Sequence, residues 1–259
     1  MTALSSGGRG LELAGVGRDF AGVHAVRGAA VRVGPGEVVG VVGPNGCGKT
    51  TLVNLATGAL VPTTGTVRVD GADLTGAASP RFARAGVVRT FQDVRLFEAM
   101  SVLDNVVVGA QRGVRPSLVA AWLRSPAFRR RERQLRERAG AALDEVGLSD
   151  LVARPVGALS HGQRRRVELA RAFAAEPAYL VLDEPGAGVD APHLARLADL
   201  VAARRGAGVG VLLVEHDTGL LERLADRVVG MVDGAVVAEG PYDEVAAHPA
   251  LRPQLEIGA

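Results

Sequence analysis

An α/β fold is predicted, in which a parallel sheet carries a phosphate-binding loop and a helical segment interrupts the sheet-forming regions. Three observations support this prediction. The apolar run Val38–Val42 leads directly into the segment GPNGCGKTT at 43–51, and apolar residues at helical spacing follow it. Strand-like and helix-like patterns alternate again from Tyr179 onward. Between these regions, from about residue 94 to about residue 170, the pattern is helical.

The first third of the chain is predicted to contain strands on both sides of the phosphate-binding loop. Apolar and polar residues alternate through Leu11–Phe20 and Ala25–Val33, as they do in half-buried antiparallel strands. The Pro35–Gly36 pair predicts a turn into the strand that ends at the loop. Two further short strands are predicted at Thr66–Val69 and Val87–Thr90.

The helical segment is predicted to contain two well-defined helices. Ser101–Ala110 has helical spacing, with Ser101 placed to cap the N-terminus and Asp104 in the first turn. Ala127–Val146 is predicted as a long amphipathic helix, and its apolar stripe comprises Phe128, Leu135, Ala139, Leu143 and Val146. The charged stretch Arg129–Arg138 of this helix is interpreted as a solvated face, with a nucleic-acid or lipid-headgroup patch as the alternatives.

The C-terminal third returns to alternating strands and helices. The predicted elements are a strand at Tyr179–Leu182, a helix at Pro192–Arg204, a strand at Val209–Val214, a helix at Leu220–Leu224, and a hairpin of Arg227–Val232 with Ala235–Glu239. This alternation is typical of a parallel sheet whose strands are joined by helical crossovers.

Composition excludes several classes of protein. With 259 residues and 47% hydrophobic content, the chain can bury a sizeable core, although only 3% of its residues are aromatic. No apolar stretch approaches the roughly 20 residues that span a bilayer, and no signal peptide is predicted. The single cysteine, Cys47, fits a reducing cytoplasm. A formal charge of +2 is too balanced to predict a nucleic-acid partner.

The segment at 43–51 has the spacing of a phosphate-binding loop between a strand and a helix. Its glycines allow consecutive backbone N–H groups to curl around phosphate oxygens, and the helix N-terminus adds its dipole. Lys49 would reach the β- and γ-phosphates, and Thr50 would offer its hydroxyl to Mg²⁺. The predicted nucleotide-binding residues here are Gly43, Pro44, Asn45, Gly46, Cys47, Gly48, Lys49, Thr50 and Thr51.

Two acidic residues end the apolar run that begins at Tyr179. Strand alternation is expected to send the carboxylates of Asp183 and Glu184 to opposite sides. Asp183 would then lie near Mg²⁺, and Glu184 would face a water aligned with the γ-phosphate. Hydrolysis of a phosphoanhydride needs both a metal to neutralise charge and a group to orient the attacking water.

The segment Leu159–Gln163 precedes a predicted helix. Ser160 is placed at the N-cap, with a free hydroxyl and backbone N–H groups nearby, which is a phosphate-binding arrangement. Because the first loop already accounts for one nucleotide, a second phosphate site predicts two chains that face each other. An ordinary capped helix is the alternative.

In combination, these motifs resemble the ABC-type ATPases. The phosphate-binding loop, Gln92, Leu159–Gln163, the Asp183–Glu184 pair and His216 occur in the order and spacing of that family. The resemblance implies a P-loop NTPase core with an antiparallel β subdomain and an inserted α-helical subdomain. It implies one domain over 1–259, with a core at 11–93 and 171–245, a helical lobe at about 94–170 and a tail at 246–259. The implied cofactors are ATP and Mg²⁺.

The resemblance also implies roles for individual residues. Phe20 would stack on adenine, Gln92 would contact Mg²⁺, and His216 would contact the γ-phosphate. The implied catalytic residues are Glu184, His216 and Gln92, and the implied Mg²⁺ ligands are Thr50, Gln92 and Asp183.

The signature sequence of the family matches the second phosphate-binding segment. Ser160, Gly162 and Gln163 would grip the γ-phosphate of ATP bound to a partner subunit, and Asp190 would belong to the D-loop. His161 departs from the family pattern because it replaces the commoner Gly. Its side chain would either crowd the partner's nucleotide or point outward.

A narrower resemblance concerns the segments around Gln92. Arg89–Gln92, Arg95–Phe97 and Met100–Asn105 resemble the ATPase of branched-chain amino-acid importers. This implies an ATP-hydrolysing subunit that is cytoplasmic and peripheral on the inner face of the cell membrane. The implied partners are a second ABC ATPase subunit in a homo- or heterodimer, two integral membrane permease subunits and, indirectly, an extracytoplasmic solute-binding protein, with no nucleic acid. Leu96, Phe97 and Met100 would either pack internally or dock a membrane subunit.

Other functions stay open at this point. Importers of urea, short amides or other amino acids share these features, and a lipopolysaccharide-export ATPase is also similar but usually lacks the extra helical stretch. A soluble ABC ATPase acting on ribosomes or DNA usually has tandem cassettes or long coiled-coil insertions. A P-loop kinase or GTPase would not explain Leu159–Gln163.

Overall fold

The structure is a computed structural model that describes residues 8–90, 96–111, 126–187 and 191–252. The chain forms two compact units, one of Met1–Arg89 with Ala178–Ala259 and one of Thr90–Pro177. The first unit contains both β-sheets, and the described elements of the second are helical. The predicted α/β class, with an antiparallel subdomain and a helical insertion, is confirmed.

The six-stranded sheet of the first unit is parallel except at one edge. Its strands are β3 (Val38–Val42), β6 (Val87–Arg89), β7 (Tyr179–Asp183), β8 (Gly210–Val214), β9 (Arg227–Val232) and β10 (Ala235–Gly240). They lie in the order β10-β9-β3-β8-β7-β6, and only β10 is antiparallel to its neighbour. Every residue of β3, β7 and β8 is buried. This explains their continuous apolar runs, because central parallel strands are covered on both faces.

The four-stranded antiparallel sheet covers one side of the core. Its strands are β1 (Leu11–Phe20), β2 (Val23–Val33), β4 (Thr64–Val69) and β5 (Ala72–Asp73), in the order β2-β1-β4-β5. Leu13, Val31 and Val67 of this sheet belong to the same buried cluster as Val41 and Leu212 of the parallel sheet. The alternation predicted for β1 and β2 therefore reflects one buried and one exposed face.

Five helices complete the described part of the first unit. They are α1 (Lys49–Ala56), α2 (Ser79–Arg84), α6 (Ala191–Gly206), α7 (Thr218–Leu224) and α8 (Tyr242–Ala246). The elements α2, α8 and β5 were not predicted from the sequence, because elements of six, five and two residues are too short to show periodicity.

Three helices pack against one another in the second unit: α3 (Val102–Ala110), α4 (Pro126–Glu145) and α5 (His161–Ala174). The predicted cap of α3 is confirmed, because Ser101 Oγ accepts a hydrogen bond from the Asp104 N–H at 3.0 Å. Leu96 and Met100 are half-buried, whereas Phe97 is 53% exposed.

The stripe predicted for α4 is buried only in its C-terminal half. Ala139 and Leu143 are buried, but Phe128 and Leu135 are only half-buried. The arginines of 129–138 are exposed, in agreement with a solvated face. No helix among the described residues is long and apolar enough to span a membrane.

Replacing Tyr179 by Phe tests a buried contact within the first unit. Tyr179 is 1% exposed, and its hydroxyl donates to Asp70 Oδ1 at 2.5 Å. Burial and the nearby carboxylate raise the pKa of this phenol, so it remains a donor at neutral pH. We expect the free energy of unfolding to fall by roughly 2 kcal/mol, as for other hydrogen bonds to charged groups. Urea unfolding measures it, and an unchanged midpoint and slope would contradict the expectation.

Candidate nucleotide-binding site

Three loops of the first unit meet at the carboxyl edge of the parallel sheet. The register pairs Val41 of β3 with Val214 of β8, and Val214 with Asp183 of β7. The three strands therefore end at nearly the same level. The phosphate-binding loop follows β3, Glu184 follows β7, and His216 follows β8. This edge is where ligands bind in open α/β sheets.

The phosphate-binding loop needs glycine at two positions for steric reasons. Gly43 has φ 151°, and a Cβ there would lie 2.2 Å from the Met231 carbonyl oxygen. Gly48 has φ 105°, and a Cβ there would lie 2.3 Å from the Ala25 carbonyl oxygen. Gly48 caps α1 without a side chain, so this cap residue leaves the first N–H groups of that helix without a side-chain acceptor of its own. Such N–H groups form an anion-binding end.

Lys49 lies across the loop. Its side chain is nearly buried, and Nζ donates to the carbonyl oxygens of Gly43 at 2.7 Å and Pro44 at 2.9 Å. The next residue, Thr50, is exposed, as are Asn45 and Gly46, while Thr51 is half-buried. The loop thus brings together a buried cation, an exposed hydroxyl and backbone N–H groups.

The thiol of Cys47 is not a reactive group. Cys47 is 3% exposed, and its burial raises the pKa of the thiol above the ordinary value. A thiol that stays protonated is a poor nucleophile. Cys47 therefore serves as a small residue that lets the loop pack against the core.

Asp183 and Glu184 occupy different environments, but the predicted reason was wrong. Strand β7 ends at Asp183, and Glu184 has φ 50°, so strand alternation does not separate the two carboxylates. Instead, the left-handed backbone conformation at Glu184 separates the two carboxylates. The Asp183 side chain is 2% exposed and pairs with Arg89, with Nη2 and Oδ2 2.7 Å apart.

Glu184 contacts His216 across neighbouring loops. Glu184 Oε1 lies 2.9 Å from His216 Nε2, and the two side chains are 20% and 46% exposed, respectively. Two predicted catalytic residues, distant in sequence, are therefore in direct contact. Both groups can exchange protons, and both remain accessible from solvent.

Glu215 was not identified from the sequence as a functional residue. It is 3% exposed, and its carboxylate accepts hydrogen bonds from the backbone N–H groups of Gly186 at 2.5 Å and His216 at 3.1 Å. It thus ties the loop after β7 to the loop after β8. Burial is the main cause that raises its pKa. The signal in the sequence that could have identified Glu215 is its position, as an acidic residue between an apolar strand and a histidine.

Phe20 lies at the tip of the β1–β2 hairpin. Its side chain is 40% exposed, and the Arg18 guanidinium carbon lies 4.8 Å from the ring centroid. The same hairpin approaches the phosphate-binding loop, since the Ala25 carbonyl oxygen lies against Gly48. An exposed aromatic ring near the loop is compatible with base stacking.

The Leu159–Gln163 segment lies in the second unit at the N-terminus of α5. Contrary to the expectation of a free hydroxyl, Ser160 Oγ accepts a hydrogen bond from the Gln163 N–H at 3.3 Å. Gln163 Oε1 accepts in return from the Ser160 N–H at 3.0 Å, which completes a capping box. His161 is exposed, and a Cβ at Gly162 would meet no atom within 4 Å.

Two predicted site residues, Gln92 and Asp190, lie outside the described residues, and their roles stay predictions. Within the described ranges, no three or more His, Cys, Asp or Glu side chains cluster as metal ligands would.

Replacing Glu215 by Gln tests the buried carboxylate. Its folded-state pKa is raised above the ordinary 4.5, so the folded chain binds this proton more tightly than the unfolded chain does. Ionisation of this carboxyl therefore lowers the free energy of unfolding of the wild type as the pH rises from 4.5 through the folded-state pKa. The Gln variant has no such group, so it does not undergo this decrease.

We expect the difference in free energy of unfolding, variant minus wild type, to become more positive between about pH 4.5 and about pH 8. Urea titrations of both proteins at the two pH values measure it. A difference that does not change with pH would show that ionisation of Glu215 carries no cost.

Comparison with known proteins agrees with this geometry. Residues 26–187 match the family model described as ABC transporter. The high-affinity branched-chain amino acid transport ATP-binding protein BraF of Pseudomonas aeruginosa is 40% identical over 240 residues, which cover 92% of this chain and 94% of BraF. The corresponding LivG protein of Escherichia coli K12 is 36% identical over 240 residues, with the same two coverages.

Solved structures show the same likeness. An ATP-binding cassette of an ABC transporter in its ADP conformation superposes with a TM-score of 0.82 at 30% identity, covering 96% of this chain and 98% of that one. A nucleotide-free cassette gives a TM-score of 0.81 at 29% identity, covering 96% and 99%. The fold, the loop and the family match together show that this chain belongs to the ABC transporter family, as an ATP-binding and ATP-hydrolysing cassette.

Proposed function

We propose that this chain is the ATP-hydrolysing subunit of an importer for branched-chain amino acids. The observation that carries the catalytic part is the contact between Glu184 and His216 beside the phosphate-binding loop. The solute class is supported by relatives that cover more than nine-tenths of this chain and are named as branched-chain amino acid transport proteins.

ATP would bind along the carboxyl edge of the parallel sheet. The N–H groups of the loop and the Lys49 ammonium would hold the phosphates, while the ring of Phe20 would stack on the base. Because Arg18 lies over the Phe20 ring, the base would share this ring with a cation.

Mg²⁺ suits the oxygen donors at this edge. The Asp183 carboxylate and the Thr50 hydroxyl are hard ligands, and Mg²⁺ is usually held by one or two protein oxygens together with substrate phosphates and water. When bound, Mg²⁺ would neutralise charge on the phosphates.

Hydrolysis would depend on the pair formed by Glu184 and His216. Glu184 would accept a proton from the attacking water, because it is the accessible carboxylate of the two at the end of β7. His216 would orient that carboxylate and contact the γ-phosphate through its ring. Glu215 would keep the two loops at a fixed separation through its hydrogen bonds to both.

The signature segment would act on the nucleotide of a second ATPase subunit. In this proposal, Ser160, Gly162 and Gln163 present a helix N-terminus to that γ-phosphate. The whole chain would form one ABC ATPase domain, peripheral on the inner face of the membrane. Two permease subunits would be its membrane partners, and a solute-binding protein would deliver the amino acid.

Replacing Glu184 by Gln tests the catalytic assignment. Gln keeps the size of the side chain but cannot take the proton from water, so turnover should fall at least about 100-fold. ATP affinity should not change, because the phosphate-binding loop is untouched. Steady-state ATPase assays and binding of a fluorescent ATP analogue measure the two quantities. Glu222→Gln, at an exposed position in the same unit, serves as control; turnover of the Glu184 variant near wild type would refute the assignment.

A pull-down of tagged Glu184→Gln protein from gently solubilised cells tests the partners. Mass spectrometry should identify polytopic membrane chains and an ATPase subunit. The accompanying solute-binding protein can then be titrated with leucine, isoleucine and valine, and with urea and short amides. Ribosomal proteins or DNA without membrane chains would overturn the transport function but leave the ATPase assignment intact.

A further inference from the structure

Arg89 connects the phosphate-binding region to the strand that carries Asp183. It is the last residue of β6, and its side chain is 11% exposed. Nη2 lies 2.7 Å from Asp183 Oδ2, while Nη1 donates to Asn54 Oδ1. One guanidinium therefore bridges β7 and α1, two elements that are not neighbours in sequence.

One end of this bridge, Asp183, is itself a proposed magnesium ligand. The other end, Asn54, lies on the helix that carries Thr50, another proposed ligand. Asn54 follows Thr50 by four residues on α1, so the two side chains lie one above the other on the same helix face. Any shift of Asn54 along the helix axis would therefore also move Thr50 relative to Asp183.

The charge of Asp183 makes this bridge important. Its side chain is 2% exposed, and a buried carboxylate without a counter-charge is strongly disfavoured. Arg89 engages Oδ2, and within the described part of the chain Oδ1 accepts no hydrogen bond. The geometry leaves one oxygen of an oriented carboxylate for another ligand.

We propose that Arg89 is a positioning residue for Mg²⁺ in the nucleotide site. It holds Asp183 by one oxygen, so that the other faces the metal position, and it fixes the spacing between Asp183 and the helix that carries Thr50. This inference rests on the proposed assignment of Asp183 and Thr50 as magnesium ligands. Groups that hydrogen-bond metal-ligating carboxylates commonly tune metal affinity in this way.

The test is a Mg²⁺ titration of nucleotide binding to Arg89→Met. Met keeps most of the side-chain length but cannot pair with Asp183 or Asn54. The apparent affinity for Mg²⁺ in the presence of a fluorescent ATP analogue should fall about 10- to 100-fold, the usual effect of removing such a partner. Binding of the same analogue with excess EDTA should equal that of wild type, because the loop and Lys49 are unchanged.

Two further variants grade the effect. Arg89→Lys keeps the charge but lacks the planar fork that reaches both partners, so its Mg²⁺ affinity should lie between those of wild type and Arg89→Met. Asn54→Ala removes one arm and leaves the ion pair, so it should lower Mg²⁺ affinity by a smaller factor than Arg89→Met. Arg81→Met, at an exposed position of α2, is the matched control and should behave as wild type.

Thermal unfolding of each variant comes first, and if Arg89→Met does not fold, Arg89→Lys and Asn54→Ala carry the test. Equal Mg²⁺ affinity in the folded variants and wild type would overturn the positioning role. A parallel loss of metal-free binding would also overturn it, because that result indicates general damage to the loop. If wild type and Asp183→Asn show the same Mg²⁺ dependence, the proposed ligand assignment itself fails.

Discussion

Parallel pairing of β3, β8 and β7 is the constraint on which the site depends. Each of these strands is buried along its whole length, so a slip in register would disrupt the packing of apolar side chains on both faces. The register places the ends of the three strands side by side. The phosphate-binding loop, Glu184 and His216 follow those ends directly. Their proximity is thus a consequence of core packing.

Among the described residues of the first unit, the buried charged groups lie where these loops leave the sheet. Asp183 is compensated by Arg89, and the Glu215 carboxylate by the backbone N–H groups of Gly186 and His216. In a poorly solvated environment, such contacts are strong when complete and costly when broken. They therefore hold the adjoining loops in defined positions, while Glu184 and His216 remain accessible for chemistry.

In the helical unit, one motif serves both stability and the proposed function. Ser160 and Gln163 complete a reciprocal cap at the start of α5, so the polar atoms are already ordered by the helix itself. A cap satisfies two backbone donors and leaves other N–H groups of the first turn available. The same sequence can therefore stabilise the start of α5 and, in the proposed function, offer an anion-binding end to a partner.

The sequence by itself was sufficient for features with local causes. The phosphate-binding loop, the cap at Ser101 and the apolar central strands all follow from spacing, turn chemistry and periodicity within a few residues. It failed for α2, α8 and β5, which are too short to show a period. It also failed for Glu184, because a left-handed turn ends the strand one residue earlier than alternation would require.

The contacts between distant segments could not be read from the sequence. The pair formed by Glu184 and His216 and the bridge from Arg89 to Asp183 and Asn54 join residues 32, 94 and 35 positions apart. The position of Glu215 after an apolar strand could be read from the sequence, but its hydrogen-bond partners could not. Local patterns record the propensity of each segment, whereas strand order and register depend on how all segments bury their apolar faces together. The chain therefore determined which chemistry is available, and only the packed sheet decided which side chains meet.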